Sequence, residues 1–119
     1  MSVDPTILEI QSAVCRRFHI PLLEMRSARR SHDVARPRQI AMFLSKQLTP
    51  HSLPSIGQRF GGRDHTTVIH AVRRIKELCA SDREIMQHVV ELRAEFKRTA
   101  ATRLAIGLAI AETAGRAGL

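Results

Sequence analysis

Tryptophan and tyrosine are absent, and four phenylalanines are the only aromatic residues among 119. A β-sandwich core of aromatic and β-branched side chains is thereby disfavoured. Leu, Ile, Val, Ala and Met must fill most of the interior, which points to packed helices. Cysteine is nearly absent too. Cys15 and Cys79 stand far apart, and neither has a partner at metal-ligand spacing. This argues against a disulfide framework and predicts two buried thiols in a reducing cytoplasm. Long apolar runs are also missing. The longest uncharged one, Leu104 to Ala111, is far too short to cross a bilayer, and no signal-peptide pattern opens the chain. No GxxxxGK[ST] loop occurs, so nucleotide-driven chemistry is not expected.

Acidic residues are in deficit: 11 Asp and Glu face 19 Lys and Arg, a formal net charge of +8. Such a balance suits a polyanionic partner, either nucleic acid or an acidic membrane surface. The excess is localised. Residues 26–46 hold Arg26, Arg29, Arg30, Arg36, Arg38 and Lys46 against Asp33 alone. Residues 47–80 add Arg59, Arg63, Arg73, Arg74 and Lys76 against Asp64 and Glu77. The flanking segments nearly cancel, so the middle of the chain makes a basic face. Within Arg36 and Arg38, one structural ion pair and one surface charge are expected.

The length suits one domain, and 44% apolar content argues against disorder. Asp4-Pro5 reads as the opening of a first helix with Ile7, Leu8, Val14, Cys15 and Phe18 on its stripe, and Pro21 stops it near Phe18. Residues 21–25 suit one helical turn, and 26–33 read as a basic loop. A second long helix covers about 33–48, with Pro37 tolerated in its first turn. Its buried side is Val34, Ile40, Ala41, Phe43, Leu44 and Leu48. Ser52 caps a short helix from Leu53 to Phe60, Gly61-Gly62 makes a tight turn, and Asp64 caps a third long helix. The stripe of that helix is Val68, Ala71, Val72, Ile75, Leu78 and Cys79. Ser81-Asp82-Arg83-Glu84 has capping-box spacing and opens a fourth long helix with Ile85, Val89, Leu92 and Phe96 inward. Met25, Met42 and Met86 read as core filler. The chain divides into a body, residues 1–98, and an Ala-rich tail, 99–119. The tail's open alternatives are extension of the last helix, an extra helix, or fraying.

Residues 52–79 carry the function. A short helix, a glycine turn and a longer helix form the helix-turn-helix pattern. The second helix of that motif presents its amino end to base edges in the major groove. Here that end is Asp64, His65, Thr66 and Thr67. Asp accepts from cytosine N4, and a Thr methyl meets a thymine methyl. A helix amino terminus also favours phosphate. His70 and Arg73 lie off the apolar stripe, where the DNA backbone is in reach. The Asp64-His65 pair lacks a nucleophile or oxyanion feature and is not read as a catalytic dyad. His51, His65 and His70 lack a second cluster and are read as surface histidines, not zinc ligands.

The string Gly61-Gly62-Arg63-Asp64-His65-Thr66-Thr67-Val68-Ile69-His70-Ala71 resembles the signature of the DNA-binding domain of DnaA, the bacterial chromosomal replication initiator. Val34 to Leu44 is similar to that domain's preceding helix, and His51 to Gly57 to its first helix-turn-helix element. The similarity runs from about residue 5 to 98. It implies an all-α, Trp-repressor-like bundle of five to six helices that binds double-stranded DNA at a TTATNCACA-type DnaA box. Under the resemblance, Asp64, His65 and Thr66 read bases, Pro54 and Leu53 touch thymine methyls, and Arg30 enters the minor groove. Lys46, Ser52, Arg63, Thr67 and His70 hold phosphates. The family's loop tends to be basic where this chain has Ala28 and His32, which implies weaker phosphate anchoring. The ATPase domain has no counterpart, so the expectation is a freestanding, cytoplasmic, nucleoid-associated DNA reader. It would have no catalytic residue, cofactor, small-molecule substrate or membrane span. The competing reading is an adaptor or antagonist of the replication machinery that engages a replication or regulatory protein through residues 99–119. A peripheral membrane binder using the basic face is a third.

Overall fold

Six helices follow one another in the computed structural model, which describes residues 4–28 and 32–117. They are α1 (Ile7–Phe18), α2 (Leu23–Arg26), α3 (His32–Leu48), α4 (Leu53–Arg59), α5 (His65–Ser81) and α6 (Arg83–Ala117). No strand occurs among the described residues. The all-α expectation holds.

The centre of the bundle is α3. Residues 40–45 are buried without interruption, so this part of the helix is enclosed on every side. Within that run Ser45 donates from Oγ to the Ala41 carbonyl at 2.7 Å, which satisfies its hydroxyl without a solvent contact. Across α3 lie α1, with Ile7, Ile10 and Val14, and α5, with Val68, Ala71 and Ile75. Ile56 and Phe60, both fully buried, close the core from the α4 side. Val89, Leu92 and Phe96 dock α6 onto the body. Ion pairs of Arg16 with Glu95 (3.1 Å), Arg17 with Glu91, and Arg103 with Glu9 (2.5 Å) hold α6 beside α1.

Several local expectations need correction. The cap of α1 is Thr6, whose side chain accepts from the Glu9 N–H at 3.1 Å. Asp4, two residues earlier, is not the cap residue. Leu8 is half exposed, while Gln11 and Ile10 are fully buried. The inward face follows Ile7, Gln11 and Val14 at i, i+4, i+7, and one polar side chain on it misled the apolar count. The cap of α6 is Asp82, which accepts from the N–H groups of Glu84 and Ile85. Ser81 belongs to α5 and donates to the Glu77 carbonyl. Pro37 is the sixth residue of α3. It therefore leaves the Asp33 carbonyl without an i+4 donor. Met25 and Met42 are core, but Met86 is 46% exposed, and Cys79 is only partly buried. Of Arg36 and Arg38, which the sequence does not tell apart, Arg38 is the buried one: it is 6% exposed and donates from Nη2 to the Glu24 carbonyl at 2.5 Å. Among the alternatives left open for residues 99–119, extension of the last helix is the one seen, since α6 runs past residue 98 to Ala117 without a break.

Candidate nucleic-acid interface

Between α4 and α5 the chain turns back on itself within five residues. Ser52 caps α4 by accepting from the Ser55 N–H, and Pro54 occupies its first turn, where a missing N–H costs nothing. Gly57 packs against the far side of the turn. Its carbonyl accepts from the N–H groups of Phe60 (3.1 Å) and Arg63 (2.9 Å). A Cβ there would overlap the Arg63 carbonyl oxygen. Gly61 and Gly62 follow with φ of 81° and 73°, the left-handed region that glycine alone enters without strain.

Asp64 then caps α5. Its Oδ1 accepts from both the N–H and the hydroxyl of Thr66, each at 2.8 Å, and lies 3.1 Å from His65 Nδ1. The two Thr66 hydrogen bonds, aided by the charge of His65, hold the Asp64 carboxyl below its ordinary value. The carboxylate is thus ionised at the positive end of the helix dipole, where negative charge is favoured. Its second oxygen carries none of these contacts. Asp64, His65, Thr66 and Thr67 are all exposed, as is His70 one turn on. No side chain in this run packs into the core until Val68.

The other expected contacts are spread around this end. Lys46 is exposed in the last turn of α3, and Ser52 and Pro54 are exposed at the start of α4. Leu53 is half buried and packs against the core, so only part of it faces out. Arg30, the expected minor-groove residue, lies outside the described residues. Arg63 is engaged inward: Nη2 donates to the Ser27 carbonyl at 2.6 Å and Nη1 to that of Phe60.

That last arrangement escaped the sequence reading. Arg38 of α3 holds the Glu24 carbonyl and Arg63 of the glycine turn the Ser27 carbonyl, so two arginines tie the segment 24–27 to α3 and to the helix-turn-helix. Gly61 completes the join, because a Cβ there would overlap the Arg26 carbonyl oxygen. The stem of the basic loop and the glycine turn are therefore one fixed unit. Burial first, and then the charge of Arg63, lower the Arg38 pKa, while Glu24 opposes the shift. A signal for Arg38 did exist. It falls on the stripe Val34, Arg38, Ala41, Ser45, and a charge on a buried stripe implies an internal partner. Beside this unit a cleft of about 570 Å³ opens, lined by Ala28, Arg38, Arg63, Asp64, Thr67 and His70 among others. Among the described residues no group of three or more His, Cys, Asp or Glu could hold a metal ion, and no helix is long and apolar enough to cross a membrane.

Residues 7–75 match the family model described as the bacterial DnaA protein helix-turn-helix. The chain belongs to the bacterial DnaA helix-turn-helix family. Similar curated proteins are chromosomal replication initiators named DnaA. The one from Zymomonas mobilis is 54% identical over 92 residues, 77% of this chain and 19% of that protein. Those from Cereibacter sphaeroides and Gluconobacter oxydans are 53% and 56% identical over 88 residues, 74% of this chain and 19% and 18% of theirs. The chain spans about a fifth of the length of these relatives. The DnaA match begins with the first residue of α1 and takes in α3, α4 and most of α5, so the loop stem and the glycine turn both lie inside it.

Proposed function

We propose that this chain reads double-stranded DNA at DnaA-box-like sites, in the service of replication or its regulation, without hydrolysing nucleotide. The observation that carries the proposal is the amino end of α5: four short polar residues, Asp64 to Thr67, all exposed at the end of a helix whose next turn is anchored in the core. Such an end enters a major groove with donors, acceptors and methyl groups in fixed positions.

In this reading Asp64 accepts from a base amino group through its uncommitted oxygen, His65 and Thr66 read neighbouring base edges, and Leu53 and Pro54 meet thymine methyls. Arg30 supplies the minor-groove contact. Thr67, His70, Ser52 and Lys46 bind phosphates from the two sides. Arg63 shares in phosphate binding only through what its two carbonyl bonds leave exposed. The basic face supplies affinity by counterion release, and base contacts supply discrimination. The proposed location is the bacterial cytoplasm, at the nucleoid.

Fluorescence anisotropy with a labelled box duplex and a scrambled duplex at one salt concentration tests this. The box is expected to bind more tightly, and His65→Ala or Thr66→Ala to cost about 1–3 kcal/mol on the box alone. Unchanged box preference in His65→Ala would show that α5 does not read the sequence.

A further inference from the structure

The contacts assigned above to DNA leave Arg59 unused. It stands exposed in the last turn of α4. Its backbone carbonyl accepts from the buried Gln11 at 3.0 Å, so the root of the side chain is fixed. An arginine so placed ordinarily reaches for the last carbonyls of its helix, where the dipole favours positive charge. This one folds back a full turn, and its Nη1 donates to Ser55 Oγ at 3.2 Å. His51 Nδ1 lies 3.1 Å from the same hydroxyl. Ser52, Ser55 and Arg59 recur at i, i+3, i+7 and so share one face of α4. Ser52 is the residue of that face already given to phosphate.

The hydrogen-bonding capacity of this cluster is one-sided. Ser55 Oγ accepts from Arg59, and its own proton is assigned to His51 Nδ1, which makes His51 a donor at Nε2. A guanidinium carries only donors, and most of those of Arg59 remain after the Ser55 bond. No carboxylate pairs with Arg59 among the described residues. A fixed positive charge with donors to spare and no acid beside it suits an anion with several oxygens. In a helix-turn-helix the first helix crosses the DNA backbone, and here that helix is α4. We propose that Arg59, with His51 beside it, binds a backbone phosphate next to the one Ser52 holds, and that Ser55 is the positioning residue that aims the guanidinium. The proposal rests on the duplex-binding reading but not on its preference for a box.

Anisotropy of the full chain on box and scrambled duplexes, from about 50 to 200 mM salt, tests this. Arg59→Gln is expected to weaken both duplexes by the same factor and to reduce the salt slope by about one. Its deficit should then be about 3–4-fold larger at 50 mM than at 200 mM. Arg98→Gln removes the same charge from an exposed site on α6 and should leave the slope unchanged. Both variants should keep the parent's urea midpoint. Duplexes carrying one methylphosphonate at a time locate the contact. One position should weaken the parent and leave Arg59→Gln indifferent. Ser55→Ala keeps the charge, so the slope should stay at the parent value while the penalty at that one position shrinks. A box bound no better than the scrambled duplex, with the slope still reduced in Arg59→Gln, would sink the sequence-reading proposal and support this one. The phosphate contact is overturned by an unchanged slope in Arg59→Gln, by an equal fall in Arg98→Gln, or by methylphosphonates that weaken parent and Arg59→Gln alike at every position.

Discussion

Gly61→Ala and Gly62→Ala form a matched pair for testing the union of loop stem and turn. Both positions have positive φ, so both alanines incur the left-handed penalty of about 1–2 kcal/mol. At Gly62 that is the whole cost, because a Cβ meets nothing within 4 Å. At Gly61 the new methyl overlaps the Arg26 carbonyl oxygen, and the carbonyl carbon is only 2.9 Å away. Backbone cannot rotate aside as a side chain can, so segment 24–27 must shift. The shift breaks the hydrogen bond from Arg63 to the Ser27 carbonyl, a charged-donor bond worth about 1.5–3 kcal/mol. Gly61→Ala should therefore cost about 3–5 kcal/mol in total.

Urea denaturation followed by circular dichroism measures both. With a slope near 1–3 kcal/mol per molar, the midpoint of Gly61→Ala should lie roughly 1–2 M below that of Gly62→Ala. Adding Arg63→Ala should cost much less in the Gly61→Ala background than in the parent, since the bond it removes is already broken. At a temperature where each variant is folded, Gly61→Ala should lose about tenfold or more in duplex affinity because the loop stem has moved, whereas Gly62→Ala should stay near the parent. Equal midpoints for the two alanines would refute the coupling, as would full additivity with Arg63→Ala.

Asp64 has a depressed carboxyl pKa when folded. Its contribution is thus fully present above the ordinary value of 3.8 and is lost as pH falls through the folded value. The acid limb of a stability–pH profile should accordingly flatten in Asp64→Asn, and Thr66→Val should raise the Asp64 pKa in an NMR titration. Lys46→Ala should weaken every duplex alike and reduce the salt slope by about one while leaving the urea midpoint unchanged. Arg63→Ala should lower the unfolding free energy by about 1.5–3 kcal/mol, and Arg63→Lys should restore little, since one ammonium cannot span the Phe60 and Ser27 carbonyls. Gln11→Ala should cost about 1–3 kcal/mol, because its Nε2 bond to the Arg59 carbonyl at 3.0 Å ends α4 inside the protein.

The elements that were legible are those whose signal is repeated. The stripe of α5 recurs over four turns, and Val68, Ala71 and Ile75 are buried as that spacing requires. The Asp64 cap and the glycine turn were readable because few residues suit those positions. Single-residue decisions were harder. Thr6 and Asp4 are both residue types that cap helices well, and Thr6 is the one whose side chain reaches the first turn. Asp82 caps α6 in place of Ser81 because Ser81 still belongs to α5, whereas Asp82 has the extended backbone of a cap. A polar residue does not count toward an apolar stripe, so Gln11 is passed over and Arg38 goes unassigned, although both fall on buried stripes and both find backbone carbonyls there. Carbonyl partners distant in sequence leave no pattern in the sequence at all.

This bears on what a basic composition means. Of the arginines that make residues 26–80 so positive, Arg38 is buried and Arg63 is turned toward carbonyls, while Arg74 lies 3.6 Å from Glu77. Each still adds to the field that draws a polyanion toward this face, because screening over a few ångströms removes little of it. None of the three is a free site for displacing a counterion. The salt slope of duplex binding should therefore count fewer phosphates than the cationic residues of the segment, whereas the association rate should respond to nearly all of them. Neutralising Arg74 should slow association and leave the equilibrium slope almost unchanged. Neutralising Lys46 should alter both.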